Sequence, residues 1–144
     1  MSKQTDIHKD KNKFLNVVNR EKPHYYNLLG IDILDVRLGY ARLSMAYDTK
    51  LTNPYGFING GFFSVLADAA LACALLGMTD DTSTRRLVSI EYKLNNIRPV
   101  KGGSVIAEAE VVHLGKEIAV GEVEIRNEEK NIVAKALITY AVKY

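Results

Sequence analysis

The stretch NPYGFINGGFFSVLADAALACALLGMTD, Asn53 to Asp80, holds one charged side chain before its last residue, Asp68. No Lys or Arg lies between Lys50 and Arg85 to pair with it locally. An unpaired carboxylate in apolar surroundings costs several kcal/mol, so it must titrate abnormally or meet partners brought from elsewhere in the fold. Such a group can be a nucleophile or general base. It can equally be a structural aspartate hydrogen-bonded across a subunit interface, or a wetted edge residue. Eight residues earlier stand Gly60 and Gly61, preceded by Asn59. Asparagine is a favoured N-cap, which puts both glycines in the first turn of a helix with N–H groups outward and no side chain in the way. A carbonyl oxygen seated there would meet a backbone donor and the positive end of the helix, the oxyanion arrangement of acyl transfer.

Positioning these groups requires a helix from Gly60 to Gly77. It carries Phe62, Phe63, Val65, Leu66, Leu71, Cys73, Leu75, Leu76 and several alanines, apolar on nearly every side. A helix of that kind is buried all round. One curved sheet covers only part of it, so the remaining surface is expected to face a second copy of the chain. Geometry asks for the same thing. Eight residues at 1.5 Å rise separate Gly60 from Asp68 by roughly 12 Å, whereas an attacking group and an oxyanion donor must each come within about 3 Å of one carbonyl. Two helices running antiparallel would bring the glycine end of one to the aspartate of the other.

The rest of the chain supplies strands. IDILDVRLGYARLSMAYD, Ile31 to Asp48, alternates around Gly39 and predicts a hairpin. RLVSIEYKLNNIRPV, SVIAEAEVVHL, EIAVGEVEIRN and IVAKALITYAV are broken by Gly102-Gly103, Gly115-Lys116 and Glu128 to Asn131, and predict four strands in an antiparallel meander. Phe14, Leu15, Val17 and Val18 predict a short docking helix over Lys13 to Lys22, stopped by Pro23, after a frayed first dozen residues. The fold class is α+β, one domain over 1–144.

Composition excludes several functions. The chain has 144 residues, 47% apolar and 25% charged, with 19 basic and 17 acidic residues interspersed to a net charge of +2. This gives no footprint for nucleic acid. The one cysteine, Cys73, can form no intrachain disulfide and reads as a buried thiol. No apolar stretch reaches the roughly 18 to 20 residues of a membrane span and the start is polar, so a cytosolic protein with no membrane partner is expected. His8, His24 and His113 are scattered and no paired-cysteine or H-E-x-x-H spacing occurs, so no metal is expected. No G-x-S-x-G elbow or phosphate loop appears.

Taken together, LLGI, Gly39, NPYGFINGG, LADAALACAL and VSIEYKLNNIRPVKGG resemble the hotdog-fold acyl-coenzyme A thioesterases, specifically the phenylacetate-pathway type, over about Leu28 to Lys143. That family's signature reads N-P-x-G-x-x-H-G-G, six residues, then Asp. The resemblance implies a sheet wrapped around a long central helix, an active site assembled in a homodimer, and commonly a homotetramer. It implies that the Gly60 N–H meets the thioester carbonyl while Asp68 of the opposing subunit attacks it or activates water. It also implies that Asn53 helps hold the water or leaving group, and that Ser89 stands near the water. Arg98, Lys101 and Lys116 fall where the family's coenzyme A phosphates often lie, although surface solubility explains basic turn residues too. Coenzyme A belongs to the substrate, so no separate cofactor is implied. The departure is Asn59, where the family usually has histidine; asparagine can also donate and accept hydrogen bonds.

Three functions remain open on these residues. One is hydrolysis of an acyl- or aryl-coenzyme A thioester. A second is a non-catalytic acyl-coenzyme A binding or sensing module, for which Asn59 speaks. The third, a hydratase or dehydratase, would want an Asp and His pair for proton transfer, which the sequence does not offer.

Overall fold

The computed structural model describes residues 22–78 and 86–143. The docking helix expected over Lys13 to Lys22 falls almost wholly outside them. A helix that sequence periodicity did not indicate follows Pro23 instead: α1, Tyr25–Leu29, closed by Gly30 at φ +72°. The left-handed conformation is the usual helix stop, and glycine takes it without steric cost. Tyr26 is the buried residue of α1, with its hydroxyl 3.4 Å from the sulfur of Cys73.

The expected hairpin is present as β1, Ile31–Arg37, and β2, Tyr40–Ala46, turned at Gly39 with φ +72°. The long helix α2 spans Gly60–Leu76. Its alanines and leucines are strong helix formers. Four strands follow: β3, Arg86–Asn96; β4, Ser104–Leu114; β5, Ile118–Arg126; and β6, Ile132–Lys143. All six form one antiparallel sheet in the order β1-β2-β4-β5-β6-β3.

The meander in chain order is therefore corrected. β4, β5 and β6 do run as a meander, but β3 pairs with β6 at the far edge, and β2 takes the free side of β4. The reason lies in the connection. Hairpins close in about two to five residues, whereas 97–103 is longer and contains Pro99. The N–H groups of Ile97 and Arg98 both reach the carbonyl of Val133 in β6, at 2.7 and 3.1 Å, and the Gly103 carbonyl accepts from Tyr47 beyond β2 at 2.8 Å. The chain thus crosses the end of the sheet over about three strand spacings, roughly 14 Å.

Period-2 alternation puts Ala41, Leu43 and Met45 of β2, Val105, Ala107 and Ala109 of β4, and Val123 and Ile125 of β5 on one face, all essentially without exposure. α2 lies across that face against β2, β4 and β5. Small side chains there let the helix come close. At Gly121 of β5 there is no side chain at all, and an added Cβ would overlap Cδ1 of Leu71 and lie 3.0 Å from the Glu110 carbonyl oxygen. Burying Leu66, Leu71 and Leu75 contributes about 1.5–3 kcal/mol each. The expectation of a helix buried on every side needs one refinement. Gly61, Phe62, Ser64, Val65, Asp68, Ala72 and Leu76, a stripe at helical spacing, keep some exposure. The sheet wraps the helix and leaves that stripe open, and Asp68 stands midway along it. Among the described residues, no helix is long and apolar enough to cross a membrane.

Candidate active site

The glycine end of α2 is built by two asparagines. Asn59 leaves the helix in an extended conformation, φ −61° and ψ 130°, and its Oδ1 accepts the Gly61 N–H at 3.0 Å while its carbonyl accepts the Phe62 N–H at 3.0 Å. The N-cap is thus as expected, but the picture of two open glycine donors is corrected, because the cap itself consumes that of Gly61. The Gly60 N–H has no partner among the described residues. Gly60 lines a cleft of about 260 Å³ with Asn53, Phe57, Phe63, Asn96 and Arg98. The carboxamide of Asn96, at the end of β3, sits so near that a Cβ on Gly60 would lie 2.5 Å from its Nδ2. Only glycine fits there without moving that amide.

Asn53 holds the loop that leads into the helix. Its Oδ1 accepts from the N–H groups of Tyr55 at 3.0 Å and Phe57 at 3.2 Å, and its own N–H donates to the Phe57 carbonyl at 2.8 Å. The loop is fastened further by the Tyr47 hydroxyl to the Gly56 carbonyl at 2.8 Å and by the Ile58 N–H to Val100 at 3.0 Å. With its oxygen committed, Asn53 has its NH2 left to offer the cleft.

Asp68 does meet partners brought from elsewhere. The buried Tyr140 of β6 donates its hydroxyl to the Asp68 carboxylate and also lies 3.0 Å from the Asp68 main-chain oxygen. Tyr92 of β3 lines the same cleft as Asp68 and its phenol interacts with the carboxylate, while Ser89 interacts with Tyr92. Tyr25 of α1 feels its charge as well. Burial, followed by the hydrogen bond to Asp68, pushes the Tyr140 phenol far above the ordinary tyrosine range. Burial raises Tyr92 and Tyr25 in the same sense. All three hydroxyls therefore stay protonated and can act as donors. Beside the carboxylate, Tyr25, Leu28, Leu29, Val65 and Tyr92 line a mainly apolar cleft of about 370 Å³.

Within one protomer the Gly60 cleft and the Asp68 cleft share no lining residue. Arg98 lines the Gly60 cleft and donates one guanidinium N–H to the Ile132 carbonyl at 3.0 Å. Lys101 packs its ammonium over the Phe57 ring, 4.9 Å from the centroid, on the flank of the same cleft. Lys116 is not brought there. It sits in the β4–β5 turn, a full strand of 11 residues away from Lys101, about 34 Å along β4. Among the described residues no group of three or more His, Cys, Asp or Glu could hold a metal ion.

Residues 55–134 match the model of the thioesterase superfamily. The chain belongs to that superfamily. Its thioesterase fold is the α+β hotdog arrangement, and the protein is a thioester hydrolase. It is 31% identical over 116 residues to the 1,4-dihydroxy-2-naphthoyl-CoA hydrolase of Listeria monocytogenes, covering 80% of this chain and 92% of that one. It superposes on the E. coli PaaI protein of the phenylacetic acid degradation operon with a TM-score of 0.82 and 26% identity, covering 91% and 94% of the two chains. A thioesterase from Haemophilus influenzae gives 0.80 and 26%, covering 90% and 89%. The matched span of this thioesterase contains Gly60, Asp68, Ser89 and Asn96, while Asn53 and Tyr140 lie outside it.

Tyr92, Tyr140 and Asn96 escaped the sequence reading. Tyr140 left a usable signal. It shares the inward parity of Ala136, Ile138 and Val142, and a buried phenol on an apolar row must find an acceptor. Asp68 is the acidic group on the helix that covers that row.

Proposed function

We propose that this thioesterase hydrolyses acyl- or aryl-coenzyme A thioesters of the phenylacetate-pathway type to the free acid and coenzyme A, at two identical sites shared across a homodimer that pairs further into a tetramer. The Gly60 N–H of one subunit receives the carbonyl oxygen. Asp68 of the partner subunit either attacks the carbonyl carbon, expelling the coenzyme A thiolate and leaving a mixed anhydride for water to cleave, or removes a proton from the attacking water. The NH2 of Asn53 steadies the water or leaving group, and Asn59 serves as the cap rather than as the family's histidine. Arg98 lines the Gly60 cleft and Lys101 sits over its Phe57, and both suit coenzyme A phosphates. The apolar cleft beside Asp68 suits the acyl part.

One observation carries this reading. The free donor and the acid lie about 12 Å apart on one helix, in separate clefts, and the acid stands on the stripe of that helix that the described residues leave uncovered. Antiparallel packing of two such stripes is the arrangement that joins them. The test is subunit complementation. Gly60→Ala and Asp68→Asn are expected to be inactive alone. When they are unfolded together and refolded, random pairing makes about half the dimers mixed, each with one intact site, so about a quarter of wild-type activity returns. Thiol release from a panel of acyl-coenzyme A substrates reads it. Inactive parents without recovery would refute the shared site, and binding without turnover by the wild type would favour an acyl-coenzyme A sensor.

A further inference from the structure

We propose that Tyr140 and Tyr92 are positioning residues for Asp68: two hydroxyls from neighbouring strands grip its carboxylate and aim its remaining lone pairs at the uncovered face of α2. This rests on the catalytic reading of Asp68 given above.

The local chain is shaped for it. In a regular strand Ser89 and Tyr92 would point to opposite faces. The pairing of β3 with β6 slips between Ser89 and Glu91: Ser89 opposes Tyr140, Glu91 already opposes Thr139, and Tyr92 opposes Ile138. Ile90 is the extra residue of a bulge. Tyr140 and Ile138 share the inward face, so the bulge brings Ser89 and Tyr92 onto that face together. Bulges commonly re-aim side chains in this way beside functional sites. The result sets Ser89 beside Tyr140 and puts Tyr92 in the cleft of Asp68, whose carboxylate already accepts from Tyr140.

Satisfying a buried phenol does not require this arrangement. The main-chain oxygen of Asp68 lies 3.0 Å from the Tyr140 hydroxyl and would serve alone. Placing the carboxylate there too restricts its rotation, and a second donor from Tyr92 leaves few orientations. Among the described residues, the titratable groups facing the carboxylate are Tyr25 from α1, Tyr92 from β3 and Tyr140 from β6. Cys73, on its own helix, interacts with Tyr25 and Tyr26. Lys22 lies over the neighbouring Tyr26 ring, its ammonium 6.0 Å from the centroid.

The experiment compares pH profiles of kcat/KM for wild type, Tyr140→Phe and Tyr92→Phe, with Asp68→Asn beside them. Hydrogen bonds to a carboxylate favour its charged form, so losing either hydroxyl is expected to move the acid limb of kcat/KM to higher pH than in the wild type. The less constrained carboxylate lowers kcat about tenfold to hundredfold, with KM little changed. A merely structural phenol would move the melting temperature and leave the limb in place. If Tyr140→Phe does not fold, Tyr92→Phe decides alone, because Tyr92 is 47% exposed and outside the core. An inactive Asp68→Asn with unmoved limbs in the tyrosine variants overturns this proposal and leaves the catalytic reading standing. An active Asp68→Asn overturns both.

Discussion

Replacing Gly60 by alanine separates stability from activity at one atom. The new Cβ would lie 2.5 Å from Nδ2, 3.0 Å from Cγ and 3.1 Å from Oδ1 of Asn96, the end of a flexible and exposed side chain. Turning that carboxamide aside costs little. Gly60 is the first helical residue, with no positive φ, so alanine meets no backbone strain there and gains at most the interior preference over glycine of about 0.5–1 kcal/mol. The two effects nearly cancel, so the melting temperature should stay within a few degrees. Activity should not survive. The methyl group fills the cleft at the one open donor of the helix tip, and losing an oxyanion donor lowers kcat about 10²- to 10³-fold, equivalent to about 2.7–4 kcal/mol. Thiol release measured beside a thermal melt reads both quantities. Asn96→Ala combined with Gly60→Ala relieves the crowding but leaves the donor blocked, and is expected to stay slow. A well-folded Gly60→Ala enzyme turning over at the wild-type rate would show that the carbonyl oxygen is held elsewhere.

Asn59→Ala removes the side-chain acceptor of the Gly61 N–H and should cost about 1 kcal/mol in urea unfolding; no change would mean the cap carries no stability. Burial raises the Cys73 thiol from 9.0 to about 11. The protonated form is therefore favoured in the fold, so its contribution is complete below the unfolded value and is lost as pH rises through about 9 to 11. Urea midpoints should fall over that window less steeply in Cys73→Ala, and thiol reagents should label the native protein only when it unfolds.

What could be read from the chain was what depends on near neighbours. The span of α2 follows from the Asn59 cap and the run of apolar helix formers, and the β1–β2 hairpin from Gly39, which needs only its own φ. The Asn59 cap was legible for the same reason, since it lies within two residues of the N–H that it satisfies. The pairing of β3 with β6 was not, because it depends on where 97–103 finds its bonds, namely Val133 and Tyr47, far along the chain. The surroundings of Asp68 failed likewise. Tyr140 is 72 residues away, and the parity of Tyr92 is reversed by a bulge that leaves no mark in the alternation of β3.

The seat that Gly121 leaves for Leu71 bears on both ends of the proposed site. A packed helix moves along its axis only by lifting its ridges out of the surface beneath them, and this ridge drops into a gap one side chain wide. The helix is thereby indexed against the sheet, and the heights of Gly60 and Asp68 above the strands follow from a contact that touches neither. Filling that gap from the β5 side would displace tip and acid together, and so would detune the proposed shared sites without altering either of the two groups.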